Sequence, residues 1–286
     1  MSATTTDARP QRRLRADFGL WRAQAMAVAR AEMRRILSPW SGFWLYFLAA
    51  MPLPLIAAHA ALDRHCVLEQ DTRILAGIVN VYYLRMAVFF ACLGVFTRLF
   101  RGEIVSRTLH YYFLAPLRRE VLVAGKFLGG VLGTATIFAF GVVASFALLY
   151  GHMGPVGSDF VWHGPGLSHL GAYLLATGLA CVGYGAVFLA LGLVLRNPSL
   201  PGFFLLMWET FSGILPSWLQ RLTVTFYLKP LLPLALPEEG PGALFSVVVE
   251  PVPAWVAVLG LMLFASFVVG LSGLRIRRLE INYSTD

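Results

Sequence analysis

Charge is scarce in this chain: 13% of its 286 residues are Asp, Glu, Lys or Arg, against 58% hydrophobic. Soluble globular domains carry about a quarter charged residues, so composition excludes an ordinary water-soluble fold. Cysteine is scarcer still. Of the three, Cys92 and Cys181 lie inside apolar runs and only Cys66 sits near a polar stretch, which excludes a disulfide framework. The common catalytic signatures are missing too. Gly125-Lys126 lacks the earlier glycine of a phosphate loop and is followed by Phe127, and there is no GxSxG, HExxH or CxxC. ATP hydrolysis by a phosphate loop is therefore excluded, and no catalytic residue is expected on this chain. The first apolar run follows about 40 polar residues, so no cleavable signal peptide is expected.

What the chain has is apolar length. Mean hydropathy is +0.69. Segments 40–62, 74–97, 127–150, 170–195, 199–219 and 253–274 each hold enough apolar residues to cross a ~30 Å hydrocarbon core at ~1.5 Å per residue. Lipid offers backbone groups no hydrogen-bond partner, so these segments are expected to be helical. The expected fold is all-α, a polytopic membrane protein with six transmembrane helices occupying residues 40–274. An even number of spans puts both termini on one side. That side carries eighteen Lys and Arg, and the other only Arg64, Arg73, Arg221 and Lys229. The asymmetry predicts cytoplasmic termini in the cell (cytoplasmic or inner) membrane. The net charge of +8 thus follows from topology, and no nucleic-acid partner is expected.

The segments outside the spans differ in character. Residues 1–15 read as a cytoplasmic tail, and 275–286 as another. Over 16–39 the composition turns helical. Phe18, Trp21, Ala25, Val28, Ala29 and Ile36 share one arc, with Arg15, Arg22, Arg30 and Arg34 outside it, the pattern of an amphipathic helix on an anionic membrane surface. Glu32 projects into the apolar arc, which requires a protein partner or incomplete immersion. Residues 102–114 make a short helix between spans 2 and 3, opened by a turn at Gly102 and followed by Pro116. Leu109, Tyr112 and Phe113 share a face flanked by arginines. Such a face suits either a docking surface or packing against the helix's own bundle. Residues 216–253 are Pro-rich yet apolar at Phe226, Leu231, Leu232 and Leu236, which predicts an external re-entrant segment.

Within the spans, Gly125, Gly129 and Gly133 form a small face for close helix approach, and Pro52 and Pro54 predict a kink in span 1. Arg85 and Glu209 fall about 15 Å deep at helical rise, near the bilayer midplane. They either face a wet path or pair with each other, or else span 2 starts later and Arg85 snorkels outward. His152, Asp159, His163 and His169 are of types that ligate metals, but their spacing matches no template and no metal site is expected.

Ala31-Glu32-Met33-Arg34 at the end of the amphipathic helix, six spans, and Glu103-Ile104-x-x-Arg107-Thr108-Leu109 through Leu114-Ala115-Pro116-Leu117-Arg118-Arg119 to Gly125-Lys126 together resemble the permease subunit of type-2 ABC transporters. The resemblance implies a transmembrane subunit that exports or flips an unidentified substrate. It would pair with a second permease copy or paralogue and with two ATPase subunits per complex, which bind the ATP and Mg. This chain would hold no cofactor. By the same resemblance, 16–39 is a connecting helix and 102–114 a coupling helix. Glu103, Arg107, Leu109, Tyr112, Phe113 and Arg118 would then face the ATPase. Spans 2 and 5 would line the path at the dimer axis through Arg85, Phe89, Phe204, Met207, Trp208, Glu209 and Phe211. The alternatives are a non-transporting anchor that docks an ATPase to a membrane complex, and a membrane enzyme using the external histidines.

Overall fold

The computed structural model describes residues 10–62, 67–105, 118–195, 197–212, 216–234 and 252–277, and among them every regular element is helical. Prolines open three of the first helices, where a missing N–H costs nothing. α1 runs Pro10–Leu37, α2 Pro39–Ala50 and α3 Pro52–Leu62. α2 and α3 together form one apolar unit, Pro39–Leu62, interrupted at Met51 just ahead of Pro52. The expected kink falls there. The second unit, Leu68–Glu103, is longer at both ends than the predicted 74–97. It consists of α4 (Leu68–Gly77), a π-helical stretch π1 (Ile78–Ala87) and α5 (Val88–Val105). α6 follows at Arg119–Gly151, then a short α7 at Pro155–Trp162. Between them Gly154 has φ 59, a conformation that favours glycine. α8 is Gly166–Val194.

After α8 the prediction and the structure part. The segment expected as span 5, 199–219, contains a twelve-residue helix, α9 (Ser199–Thr210), which rises only ~18 Å. Small helices follow: α10 (Ser217–Gln220), α11 (Val224–Leu228) and a 3₁₀ turn, Lys229–Leu231. α12, Ala254–Arg277, ends the described chain. Among the described residues five units are long and apolar enough to cross a membrane: Pro39–Leu62, Leu68–Glu103, Arg119–Gly151, Gly166–Val194 and Ala254–Ile276. The chain is thus all-α with the architecture of a multi-pass membrane protein. Most of the predicted coupling helix, including Arg107, Leu109, Tyr112 and Phe113, lies outside the described residues, as do Cys66 and Leu236.

α6 and α8 are the centre of the bundle. α1 lies along α6, while α8 touches α5, α6 and α12. The contact of α1 with α6 is made by the glycine stripe. A Cβ on Gly125 would stand 2.8 Å from the Ala25 carbonyl oxygen, one on Gly129 2.6 Å from that of Ala29, and one on Gly133 3.0 Å from Ile36. Only glycine lets the two backbones approach so closely. The apolar arc of α1 is therefore turned onto α6 at Val28, Ala29 and Ile36, while Phe18, Leu20 and Met26 remain exposed. A second glycine pair seats one ring: Cβ atoms on Gly130 of α6 and Gly185 of α8 would both strike Phe96, at 2.8 and 2.6 Å. Cys92 and Cys181 are buried, unbridged thiols in this core.

Span 1 and span 2 are joined through the kink. Pro52 has no N–H to offer the Leu48 carbonyl, the partner an unbroken helix would supply. Tyr82 and Tyr83 of π1 reach across instead. Their hydroxyls donate to Leu48 O at 2.6 Å and Ala49 O at 2.8 Å, with Ser145 Oγ 3.0 Å from the Tyr83 hydroxyl. Both tyrosines lie within the wider i→i+5 winding of π1.

Candidate functional site

At the end of the bundle where α5 finishes and α6 begins, three charged side chains from three helices meet out of contact with solvent. Lys126 is fully buried in α6, between two glycines of the stripe. Its ammonium donates to Glu32 Oε1 of α1, and to Glu103 Oε1 of α5 at 2.6 Å. Glu32 and Glu103 are 4% and 7% exposed. Arg35, one turn further along α1, approaches Glu32 Oε2 at 3.2 Å and supplies a second cation to the pair of carboxylates. The ring centroid of Phe100 lies 5.5 Å from Lys126 Nζ, within cation–π range.

The helix α1 is positioned twice over. Beyond the ion triad, the Arg118 guanidinium sits 4.0 Å from the Trp21 ring centroid. The neighbouring Arg119 donates to the Ile276 carbonyl at 3.1 Å, holding the last turn of α12. Four helices, α1, α5, α6 and α12, are thereby tied together at one end. The described part of the predicted coupling set divides accordingly. Glu103 turns inward to Lys126, and Arg118 covers Trp21.

Glu32 broke the apolar arc of α1 in the sequence, and its protein partner is Lys126. Lys126 itself was not singled out as a site. The available signal was a lysine embedded in a glycine-spaced apolar helix, where a lone charge demands a partner.

The residues predicted to line a path do not share one surface within a single chain. Phe89 is completely buried, edge-on to Tyr184 at 5.3 Å and to Phe188 at 5.0 Å between ring centroids. Phe204, Met207 and Phe211 are exposed at 72%, 38% and 49%, and Trp208 is half-buried. Glu209 is buried, and its partners explain its charge. It accepts from the backbone N–H of Val224 at 2.8 Å and of Thr225 at 3.1 Å, and from the hydroxyls of Thr225 at 2.5 Å and Tyr184 at 3.4 Å. The carboxylate therefore caps the N-terminus of α11 and satisfies donors that a helix leaves free in its first turn. Thr223 adds its own cap on the Phe226 N–H. Arg85 lies in π1, partly buried, with its Nε unpartnered. Among the described residues no salt bridge joins it to Glu209.

The histidines separate. His152 stands with its Nε2 3.6 Å from Asp71 Oδ2, and His59 Nε2 lies 2.9 Å from Asp71 Oδ1. His163 pairs with Asp159 at 3.1 Å on the exposed surface, and His169 packs edge-on to Phe160. Among the described residues no group of three His, Cys, Asp or Glu is arranged to hold a metal ion. The Asp71 contacts were invisible in the sequence, because they depend on α3, α4 and α6 meeting at one point.

No family model matches this chain, and no curated protein is significantly similar to it. The bundle, its glycine-seated N-terminal helix and the buried ion triad define it as a multi-pass helical membrane protein with a reinforced end.

Proposed function

We propose that this chain is the membrane-spanning permease subunit of a type-2 ABC transporter, with six spans and both termini in the cytoplasm. In this reading it exports or flips its substrate as a pair of permeases, driven by two separate ATPase subunits that hold ATP and Mg. The observation that carries the proposal is the Glu32–Lys126–Glu103 triad. It fuses the N-terminal helix, the last turn of the second long unit and the start of the third into one body. Glu103, the first residue of the stretch where the resemblance is strongest, is one of its three members.

The physical need for such a body can be sized. Driving a two-state bundle from 1:99 to 99:1 takes about 5.5 kcal/mol. A connection that yields below that energy would dissipate the motor's movement, whereas breaking one buried ion pair costs about 3–5 kcal/mol. The lysine shared by two carboxylates raises the cost of separating the three helices above that of a single pair. ATPase closure would act on segment 102–114, and the triad would pass the movement to α5, α6 and α1 together.

The test uses the full-length chain in vesicles with ATPase subunits encoded in the same genome. Replacing Tyr112 and Phe113 by Ala should leave the protein inserted and the ATPases active but abolish permease-dependent stimulation of hydrolysis. Unchanged stimulation, or failure of any ATPase to co-purify with the intact chain, would overturn the proposal. A second reading, a non-transporting anchor for an ATPase, draws on Glu209. Its carboxylate is consumed in capping α11, so one of the two polar groups offered for a wet path is committed to structure.

A further inference from the structure

A groove of about 480 Å³ opens on the outer surface of the bundle between α2 and α5. Trp44 and Phe47 line it from α2, and Phe90, Gly94 and Arg98 from α5. Gly94 creates the depression. A Cβ there would stand 2.5 Å from the Trp44 ring, so the indole occupies the place of a side chain and the groove runs past it. Phe47 and Phe90 are 61% and 41% exposed. The channel is thus apolar along its length and cationic at one end.

Depth gives that end its meaning. Trp44 lies five residues inside the start of the unit Pro39–Leu62, and Arg98 five residues inside the end of Leu68–Glu103, each about 7.5 Å from its terminus. Trp40, at the outer edge, is 96% exposed, where an interfacial tryptophan belongs. Arg98 also directly follows the apolar run 74–97, which puts it at the boundary between acyl chains and headgroups. Its side chain is exposed, and among the described residues no carboxylate pairs with it.

We propose that this groove is a binding site for one anionic glycerophospholipid, an acyl chain lying along Trp44, Phe47 and Phe90 and the headgroup phosphate held by the Arg98 guanidinium. An unpaired guanidinium at headgroup depth calls for an anion, and its planar fork matches phosphate oxygens. The apolar wall beneath calls for hydrocarbon attached to that anion. A free phosphate would meet only half of the site.

The full-length chain, purified from equimolar phosphatidylglycerol and phosphatidylcholine, should retain phosphatidylglycerol preferentially in native mass spectrometry. Arg98→Gln should lower that preference about fivefold at low salt, the effect of one basic residue at a membrane surface. Arg275→Gln, which removes an exposed arginine elsewhere, should not. An equal loss in both variants means diffuse surface charge and sinks the proposal. An independent measurement does not depend on either variant. In nanodiscs of phosphatidylcholine, brominated phosphatidylglycerol should quench the tryptophan emission that Trp44→Phe removes, and brominated phosphatidylcholine at the same fraction should quench it less. Equal quenching by the two lipids, or none by either because another protein surface covers the groove, overturns the site.

Discussion

Replacing Lys126 by Met removes the cation on which Glu32 and Glu103 converge and leaves two buried carboxylates without the ammonium they share. Removing one partner of a buried ion pair costs about 3–5 kcal/mol, because the remaining charge loses its compensation without regaining water. With roughly 2–4 °C of melting temperature per kcal/mol for a protein of this size class, the expected fall is about 10 °C. The informative comparison is the triple change Lys126→Met, Glu32→Met, Glu103→Met. It removes the unpaired charges along with the cation, and replacing a buried ion triad by apolar side chains of similar volume is close to neutral or stabilising. The triple variant should therefore recover most of the lost stability while losing the rigid connection. Thermal unfolding in nanodiscs, followed by tryptophan emission, measures both. A Lys126→Met protein as stable as the parent, or a triple variant no better than the single one, would show that the charges are not what holds this end of the bundle. Glu103→Lys should behave like the single loss or worse, since it sets a second cation against Lys126. It therefore reports on folding before it can report on docking.

Three further outcomes follow from particular contacts. Glu209→Ala should orphan the Val224 and Thr225 amides and cost about 2–4 kcal/mol, read as faster hydrogen exchange confined to 223–228; Glu209→Gln, which keeps an acceptor, should lose less. Gly129→Val puts a Cβ 2.6 Å from the Ala29 carbonyl, a backbone atom that cannot swing aside. α1 should then detach and become protease-sensitive while the rest of the bundle stays folded. Tyr83→Phe should cost about 1–2 kcal/mol, because the Ala49 carbonyl loses a buried donor and the Ser145 hydroxyl a buried acceptor. Tyr82→Phe, at a half-buried site, should cost about half as much, and a larger loss there would contradict the role given to burial.

The residues that could be read in one dimension were those whose meaning is a local pattern. Apolar length gave the long helices, Pro52 and Pro54 gave the break at Met51, and the glycine spacing gave a close helix contact. The helix lengths of the second unit and of α9 differ from the apolar runs for one reason: hydropathy records what can lie in lipid, not where the backbone keeps its winding. Leu68–Glu103 runs past both ends of 74–97, with Glu69 and Arg73 paired on its surface near one end and Glu103 on Lys126 at the other. The predicted span 199–219 contains Pro216 and a carboxylate claimed by α11, and its first helix stops at Thr210.

By itself the sequence determined the solvent of this protein, since 58% hydrophobic residues in membrane-length runs leave the chain no other way to bury its surface. It also determined that α1 would carry one apolar face. Which surface received that face was a tertiary decision. So were the pairing of Lys126 with Glu32, 94 residues away, and the conversion of Glu209 from a mid-membrane charge into a helix cap. Burial energy is a sum over single residues and can be read along a chain. A buried charge is stable only with a partner at hydrogen-bond distance, and that distance exists only once the helices have packed.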